Sequence, residues 1–246
     1  MKIHRTVQFA ILASVALALA ACGSTSAPTQ APAEENTASQ PEPTIDYSNA
    51  EPAATEPAAE EAPAAAEGGY TIVPGESEAR FLIGEVLAGN DITVVGTTND
   101  VTGQIFVDYA NPQAASLSTI QVDLSSLATD NNFRNGAIHD MILQTGNADY
   151  QYATFEATSI SGLPESVTIG QSFDVQITGN LTIHGVTKEE TFNTTITPVS
   201  ETRIAGLASL TILYSDFGVQ ILRLPQQVAS VEDQVTLELE FVAESQ

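Results

Sequence analysis

Apolar and polar residues alternate along much of the chain after residue 69, with the period of two that is typical of a strand buried on one face. The longest runs are FDVQITGNLTI at 173–183 and VTLELEF at 235–241. Shorter runs occur at 103–109, 118–124 and 154–158, and Asn-Pro, Gly-Gly and Leu-Pro steps separate the patterned segments. The pattern therefore predicts eight or nine antiparallel strands and an all-β fold.

One segment, residues 128–145, departs from this alternation and predicts a short helix, because its apolar residues recur at helical spacing. Asp130 or Asn131 is a suitable N-cap, since a short polar side chain can accept the free N–H groups of the first turn. The apolar face of the predicted helix comprises Phe133, Ala137, Ile138, Met141 and Ile142.

Two architectures fit a long antiparallel set of strands with one helix. A sandwich buries the apolar faces of two sheets against each other. A closed barrel removes the exposed sheet edges, and eight strands leave an interior that can hold one small ligand. The alternation by itself does not distinguish the two.

The first 22 residues have the plan of an export signal. Lys2 and Arg5 precede an apolar stretch at 7–19, which is too short for a comfortable membrane span. The following Leu-Ala-Ala-Cys at 19–22 resembles the bacterial lipobox, and Cys22 is the only cysteine in the chain. We therefore expect a lipoprotein signal peptide at 1–21 and lipidation of Cys22, with no disulfide within the chain.

Residues 22–68 are rich in Ala, Pro and Glu and contain almost no large apolar side chain. Such a segment cannot bury enough surface to offset the entropy of ordering, so we expect a disordered acidic linker. The remaining residues, 69–246, are enough for one sizeable core and form the predicted folded domain.

The chain is strongly acidic, with 31 Asp and Glu against 7 Lys and Arg and a formal net charge of −24. Such a charge disfavours nucleic acid as a partner. Anionic lipid headgroups would be repelled as well, so attachment to a membrane must come from the acyl chains on Cys22.

No catalytic or metal-binding motif stands out in the folded domain. G-x-S-x-G, H-E-x-x-H and phosphate-binding glycine loops are lacking, and the two histidines that follow the signal, His139 and His184, lie 45 residues apart. His139 is expected to be solvated on the helix, and Arg134 to form an ion pair that fixes the helix to the sheet. His184 and Gly185 are expected to form the turn of a hairpin. We expect no enzyme activity, no metal and no cofactor.

Four segments resemble the YceI-like family of lipid and polyisoprenoid-binding proteins. GNLTIHGVTKEETF at 179–192 is similar to a hairpin of that family, and TDNNFRNGAI at 129–138 to its helix start. SDFGV at 215–219 resembles a late strand, and YTIVPGESEARF at 70–81 an opening strand. Two departures concern the ligand headgroup: GEVLAGND at 84–91 lacks a basic residue or histidine, and Asn135 replaces an Asp that often follows the arginine.

The resemblance implies an extended eight-stranded antiparallel lipocalin-like barrel with one short helix, preceded by a disordered tether. It also implies a lumen that holds a long-chain isoprenoid or other amphiphilic lipid. If the apolar face of each strand points inward, the lumen is lined by Ile105, Val107, Ile120, Val122, Phe155, Val175, Ile177, Val235 and Leu237.

Together these features predict an exported binding protein that is anchored to the cell membrane or outer membrane, with its domain on the extracytoplasmic side. It would hold the lipid for transport, storage or stress response. The alternative is an envelope interaction or stress module that has no lumenal ligand and binds through its acidic exterior.

Overall fold

The computed structural model describes residues 69–245, which form one antiparallel sheet and one short helix. The predicted signal peptide (1–21), the lipidation site Cys22 and the linker (22–68) lie outside these residues. The strands are β1 (Gly69–Ile72), β2 (Glu78–Leu87), β3 (Asn90–Thr98), β4 (Val101–Thr102), β5 (Gln104–Phe106), β6 (Ser116–Leu117), β7 (Ile120–Asp123), β8 (Tyr152–Ser161), β9 (Phe173–Ile183), β10 (Val186–Ser200), β11 (Arg203–Leu213) and β12 (Val228–Ser245). The helix α1 spans Asn132–Ala137.

The sheet curls into a half-barrel around the long strand β12. One path runs β4-β7-β8-β9-β10-β11-β12-β1-β5-β6, and β2 joins β12 and carries β3. β12 is long enough, at 18 residues, to pair with β11 on one side and with β2 and then β1 on the other. Backbone hydrogen bonds between Thr97 and Ala128, of 2.8 and 2.9 Å, tie the outer edge of β3 to the segment after β7.

The predicted all-β, antiparallel, barrel-like fold with one short helix is confirmed. The sheet has twelve strands, where the alternation predicted eight or nine and the family resemblance implied eight, because it includes pieces of two to four residues such as β4, β5 and β6. Gly103, with a φ of 153°, separates β4 from β5.

The two ends of the half-barrel differ in the turns and loops that they contain. The upper end contains the β2–β3 turn, the β9–β10 turn, α1 and residues 214–227, as the strand registers require. The opposite, lower end contains residues 107–117, 162–172 and 198–204.

Strand β9 shows how the alternation predicted the buried face. Val175, Ile177, Leu181 and Ile183 are 3, 7, 4 and 9% exposed and face the interior. The intervening threonines on the other face pair with β10, where Thr178 meets Thr191 at 2.8 Å and Thr182 meets Thr187 at 2.8 Å.

Phenylalanine rings on the inner face lie over glycines of neighbouring strands. Phe81 on β2 is paired with Gly96 on β3, and Phe241 on β12 with Gly206 on β11. A Cβ atom added at Gly96 would come within 2.3 Å of the Phe81 ring, and one at Gly206 within 2.5 Å of the Phe241 ring. These rings therefore occupy the space that a side chain would take on the adjacent strand.

The predicted hairpin at His184 is confirmed. Ile183 and Val186 are paired, and His184 and Gly185 form a two-residue turn with φ angles of 51° and 74°. Positive φ at both positions is the geometry that fits the twist of a hairpin, and glycine adopts it without strain. The His184 ring stacks on Tyr150, with centroids 4.1 Å apart.

The predicted helix begins where expected but exposes part of its predicted apolar face. Asn131 is the N-cap, and its side chain accepts hydrogen bonds from the backbone N–H groups of Phe133 and Arg134. After α1 the chain continues as a wider π turn at Ile138–Ile142. Ile138 is buried at 6% exposure, whereas Phe133 and Met141 are 94 and 60% exposed.

The difference arises because the helix packs through a different row of residues. Arg134, Ile138 and Ile142 are spaced by four and therefore lie on one side of the helix. Ion pairing of Arg134 with Glu85 on β2, at 3.1 Å, holds this row against the sheet. Phe133 and Met141 directly precede Arg134 and Ile142 in the sequence, and their side chains face solvent.

The segment SDFGV at 215–219 is a turn, and its interpretation as part of a strand was wrong. Residues Tyr214–Phe217 form a 3₁₀ turn that ends at Gly218, with a φ of 71°. Phe217 is fully buried and packs against the upper core with Leu181 and Ile183. The turn therefore covers the upper end of the half-barrel with a large side chain.

The side chain of Asp123 allows a test of how much the turn Leu124–Ser126 contributes to the stability of the fold. Its partial burial raises its pKa, but hydrogen bonds from Ser125 and Gln151 outweigh this and hold the pKa below the usual value. The Asp123 side chain caps the turn Leu124–Ser126, so Asp123→Ala should lower the free energy of unfolding by about 1 kcal/mol at pH 7.

A carboxyl with a depressed pKa stabilises the fold above its unfolded pKa, near about 4, and this contribution is lost as the pH falls through the lower folded pKa. Urea denaturation should therefore show the gap between wild type and Asp123→Ala narrowing below about pH 4. Glu165→Ala, an exposed site between β8 and β9, controls for the loss of one charge. A gap that is independent of pH would contradict this role of Asp123.

A substitution at Gly96 tests whether the Phe81 ring needs the space above this glycine. Gly96→Ala would place Cβ against both Phe81 and Leu127, and such overpacking should destabilise the fold by about 1 to 3 kcal/mol. Gly136→Ala in α1 is the control, because no atom lies within 4 Å of its added Cβ. There alanine should stabilise by up to about 1 kcal/mol. Equal thermal denaturation midpoints for the two variants would refute this assignment.

Candidate functional site

An apolar cavity of about 860 Å³ lies inside the curled sheet. This volume is near the upper limit of ordinary ligand pockets. Its wall is built almost wholly from aliphatic and aromatic side chains of the inner sheet face, of α1 and of the loops at both ends. Such a surface attracts apolar groups by area and offers few polar contacts.

Eight of the nine residues that the sequence placed on a lumen wall line this cavity. These are Ile105, Val107, Ile120, Val122, Phe155, Ile177, Val235 and Leu237. Val175 is buried at 3% exposure on the same face of β9 but is not among the cavity-lining residues. The role of these residues in binding a ligand remains a prediction.

A large part of the wall was not predicted from the sequence. β2 contributes Phe81 and Ile83. Their alternation with polar or smaller residues in EARFLIGEVL could have predicted that they face inward. β11 contributes Ile204, Ala208 and Ile212. The small residues Gly206 and Ala208 hide the apolar period of this strand, because neither stands out as a large apolar position.

The cavity opens at the upper end. Lining residues that are also exposed to solvent lie in or beside α1 and in the loop before β12; they are Asn131, Phe133, Arg223, Leu224, Pro225 and Gln227. Lining residues of the lower end, such as Tyr109, Leu163 and Ile204, are buried or half-buried. A long ligand would therefore enter beside α1 and extend toward the lower end.

A charged pair stands at this opening. Glu85 is buried at 8% exposure, and its carboxylate accepts a hydrogen bond of 3.1 Å from Arg134. Arg134 also donates to Asp130 at 2.6 Å. The ion pair predicted for Arg134 is therefore present. It compensates a buried carboxylate, so that most of the charge of Arg134 is already balanced within the protein.

Two tyrosines on the cavity wall have raised pKa values. Burial is the main cause for both, with Tyr70 contributing at Tyr109 and Asp233 contributing at Tyr214. Both hydroxyl groups therefore remain protonated near neutral pH.

The two histidines of the described domain do not form a reactive centre. His139 Nε2–H donates to the carbonyl of Leu127 at 2.7 Å, so this ring is half-buried and bonded, where the sequence predicted it to be solvated. His184 lies in the hairpin turn. Within residues 69–245 no group of three His, Cys, Asp or Glu side chains is placed to hold a metal ion.

The same described part of the chain holds no helix with the length and hydropathy that crossing a bilayer requires.

Comparison with other proteins finds relatives of similar sequence in bacteria. A UPF0312 protein of Shewanella sp. (strain MR-7) is 32% identical over 136 residues, which are 49% of this chain and 64% of the relative. A UPF0312 protein of Pseudomonas aeruginosa (strain LESB58) is 30% identical over 135 residues, 51% of this chain and 63% of the relative. The chain thus spans just under two thirds of these relatives.

Solved structures share the fold at low sequence identity. A polyisoprenoid-binding domain from Saccharophagus degradans, implicated in plant cell wall breakdown, superposes with a TM-score of 0.57 at 20% identity. The match covers 72% of this chain and 98% of that domain. BcnA of Burkholderia cenocepacia superposes with a TM-score of 0.55 at 20% identity, covering 70% of this chain and 98% of BcnA.

The family model described as the YceI-like domain matches residues 70–243. This range contains every residue of the cavity wall. The chain therefore belongs to the YceI-like family.

Proposed function

We propose that this protein binds a long-chain isoprenoid or a similar amphiphilic lipid inside the half-barrel. The observation that carries the proposal is the apolar cavity of about 860 Å³, which opens beside α1 and runs between the two ends of the sheet. The fold shared with the Saccharophagus degradans polyisoprenoid-binding domain supports the same ligand class.

The chemistry of the wall explains why such a ligand would bind. Burial of one methylene group contributes roughly 0.8 kcal/mol, so five carbons contribute about 4 kcal/mol before the costs of association. Useful affinity therefore needs no headgroup contact. Length and girth of the chain should decide selectivity more than charge does.

We further propose that the protein is exported and anchored through Cys22, with the domain on the extracytoplasmic side of the cell membrane or outer membrane. The sequence at 19–22 and the apolar stretch at 7–19 support this. A flexible segment of the length of residues 22–68 would span about 40 Å, which lets the domain reach a nearby membrane surface while it stays attached. Transport, storage and a role in stress response are all compatible with such an arrangement.

Binding is favoured over catalysis by the surroundings of the titratable residues. His139 is bonded to a backbone carbonyl and His184 belongs to a turn. The carboxylate Glu85 is paired with Arg134. None of these groups is arranged as a nucleophile with its base. The alternative, an interaction module that binds through its acidic exterior, would be favoured by a filled interior, and the open cavity argues against it.

The proposal predicts that lipid copurifies with the protein. The full chain carrying Cys22→Ala should be used, so that the acyl chains of the anchor do not contribute to the extract. Organic extraction followed by mass spectrometry should recover a long-chain lipid at close to one molecule per protein. Recovery of none, together with no uptake of an added polyprenol, would reject lipid binding.

A bulky side chain inside the cavity should displace part of the ligand. Ile177→Trp would fill space equivalent to about three methylenes, which should weaken binding of farnesol roughly 50-fold. Gln176→Trp is the matched control, since the neighbouring Gln176 is exposed on the outer face of β9. Titration should separate the two variants, with thermal melting to verify folding. If both bind farnesol as the wild type does, the cavity is not the binding site.

A further inference from the structure

Exposed apolar side chains lie around the opening of the cavity. Among the described residues, three large apolar side chains are more than half exposed: Phe133 at 94%, Leu222 at 82% and Met141 at 60%. All three belong to the upper end, two in or shortly after α1 and one in the loop before β12. Phe133 and the partly exposed Leu224 also line the cavity, so that apolar surface continues from the wall to the outside.

The helix and the loop both border the same end of β2. Arg134 of α1 donates to the Glu85 carboxylate at 3.1 Å. The backbone N–H of Ala88, directly after β2, donates to the carbonyl of Gln227 at 2.7 Å. The two apolar segments are therefore joined through β2 at one side of the opening. We call Phe133, Met141, Leu222 and Leu224 the apolar rim.

A group of exposed apolar residues beside a cavity indicates an interaction surface, whereas single exposed residues are common on any protein. A lipid bilayer matches this rim because its interior is apolar, as the cavity wall is. Contact between the rim and a bilayer would give a long-chain lipid an apolar route into the cavity. The lipid would then not have to cross water, where its exposed methylene groups are costly.

The charge at the rim complements a lipid phosphate. Arg223 lies between Leu222 and Leu224 in the sequence and lines the cavity. It has no acidic partner among residues 69–245, whereas the other four cations of this range form ion pairs; these are Arg80, Arg134, Lys188 and Arg203. At a bilayer surface, leucines can enter the boundary of the acyl chains while a neighbouring arginine contacts the phosphates.

The net charge of the protein selects the kind of bilayer. The chain carries a formal charge of −24, so a surface rich in anionic lipids would repel it. A zwitterionic bilayer has phosphates that one arginine can contact, but it has no net charge. The rim therefore fits a zwitterionic bilayer such as phosphatidylcholine.

We propose that the apolar rim docks on a zwitterionic lipid bilayer, with Arg223 in contact with lipid phosphates. The opening of the cavity then faces the bilayer from which a lipid enters or to which it returns. The inference rests on the proposed function only for this purpose, since the docking itself requires no ligand in the cavity.

The chain contains no tryptophan, so a single introduced tryptophan reports its own position. Phe133→Trp and Leu222→Trp place the reporter on the rim in the full chain carrying Cys22→Ala. Vesicles of phosphatidylcholine should shift the emission of both reporters to shorter wavelength, and phosphatidylcholine brominated on its acyl chains should quench it. Leu222 is not among the cavity-lining residues, so a lipid inside the cavity does not account for quenching at that position.

The matched control reporter lies at the opposite end of the half-barrel. Ile169→Trp replaces an apolar side chain that is 43% exposed in the loop between β8 and β9. Its emission should keep its wavelength and intensity with both kinds of vesicle. Binding of the apolar stretch at 7–19 to the vesicles does not change this readout, which compares the positions of the tryptophans. Thermal melting verifies that each variant folds.

Further substitutions test the parts of the rim at saturating vesicle concentration. In the Leu222→Trp chain, Phe133→Ser should lower the ratio of quenched to unquenched reporter about tenfold, because it removes a large apolar side chain. Ile169→Ser is the control and should leave the ratio unchanged. In the Phe133→Trp chain, Arg223→Gln should lower the ratio about fivefold, whereas Arg223→Lys should keep most of it.

The outcomes separate docking from lipid binding. Docking through the rim is refuted if neither rim reporter is quenched, if Ile169→Trp is quenched equally, or if Phe133→Ser has no effect. A ratio unchanged by Arg223→Gln overturns the phosphate contact. Titration of the same preparations with farnesol tests the proposed function independently. Farnesol binding without quenching leaves lipid binding intact and rejects docking, whereas quenching without farnesol binding supports docking and counts against the proposed ligand.

Discussion

The hollow interior depends on where the inner phenylalanine rings lie. Phe81 and Phe241 lie over Gly96 and Gly206, which are their partners on the neighbouring strands. A sheet that packs one face normally fills the enclosed space with side chains. Here the two phenylalanine rings occupy the space that side chains at Gly96 and Gly206 would fill. The rings therefore lie along the sheet and leave the centre of the cavity open. The lipid-binding proposal depends on this arrangement.

Two of the segments that resemble the family, the hairpin at His184 and SDFGV at 215–219, lie at the upper end, where the cavity opens. The turn at His184 and Gly185 stacks on Tyr150, and Lys188 on the following strand forms an ion pair of 3.4 Å with Asp216. Asp216 belongs to the turn that buries Phe217. The hairpin and the SDFGV segment, far apart in sequence, thus support one another. The Arg134–Glu85 pair that holds α1 against the sheet lies at the same end.

The charged residues near the opening of the cavity are largely balanced within the protein, as Glu85 and Arg134 illustrate. Most of the remaining wall is apolar. Under the proposed function, this wall would contribute affinity through its area, and the few polar atoms would contribute orientation.

The amino-acid sequence by itself determined the strand faces, the hairpin at His184 and the helix cap at Asn131. These features depend on residues adjacent along one segment, where alternation and capping act directly. Only the tertiary structure decided that Val175 lies off the cavity wall, that Phe133 is exposed and that a cavity remains open. Each of these depends on the curl of the sheet and on contacts between distant segments, such as Arg134 with Glu85 and Phe241 with Gly206. Periodicity identifies the residues that face inward, but the space left between them is determined by how the strands meet.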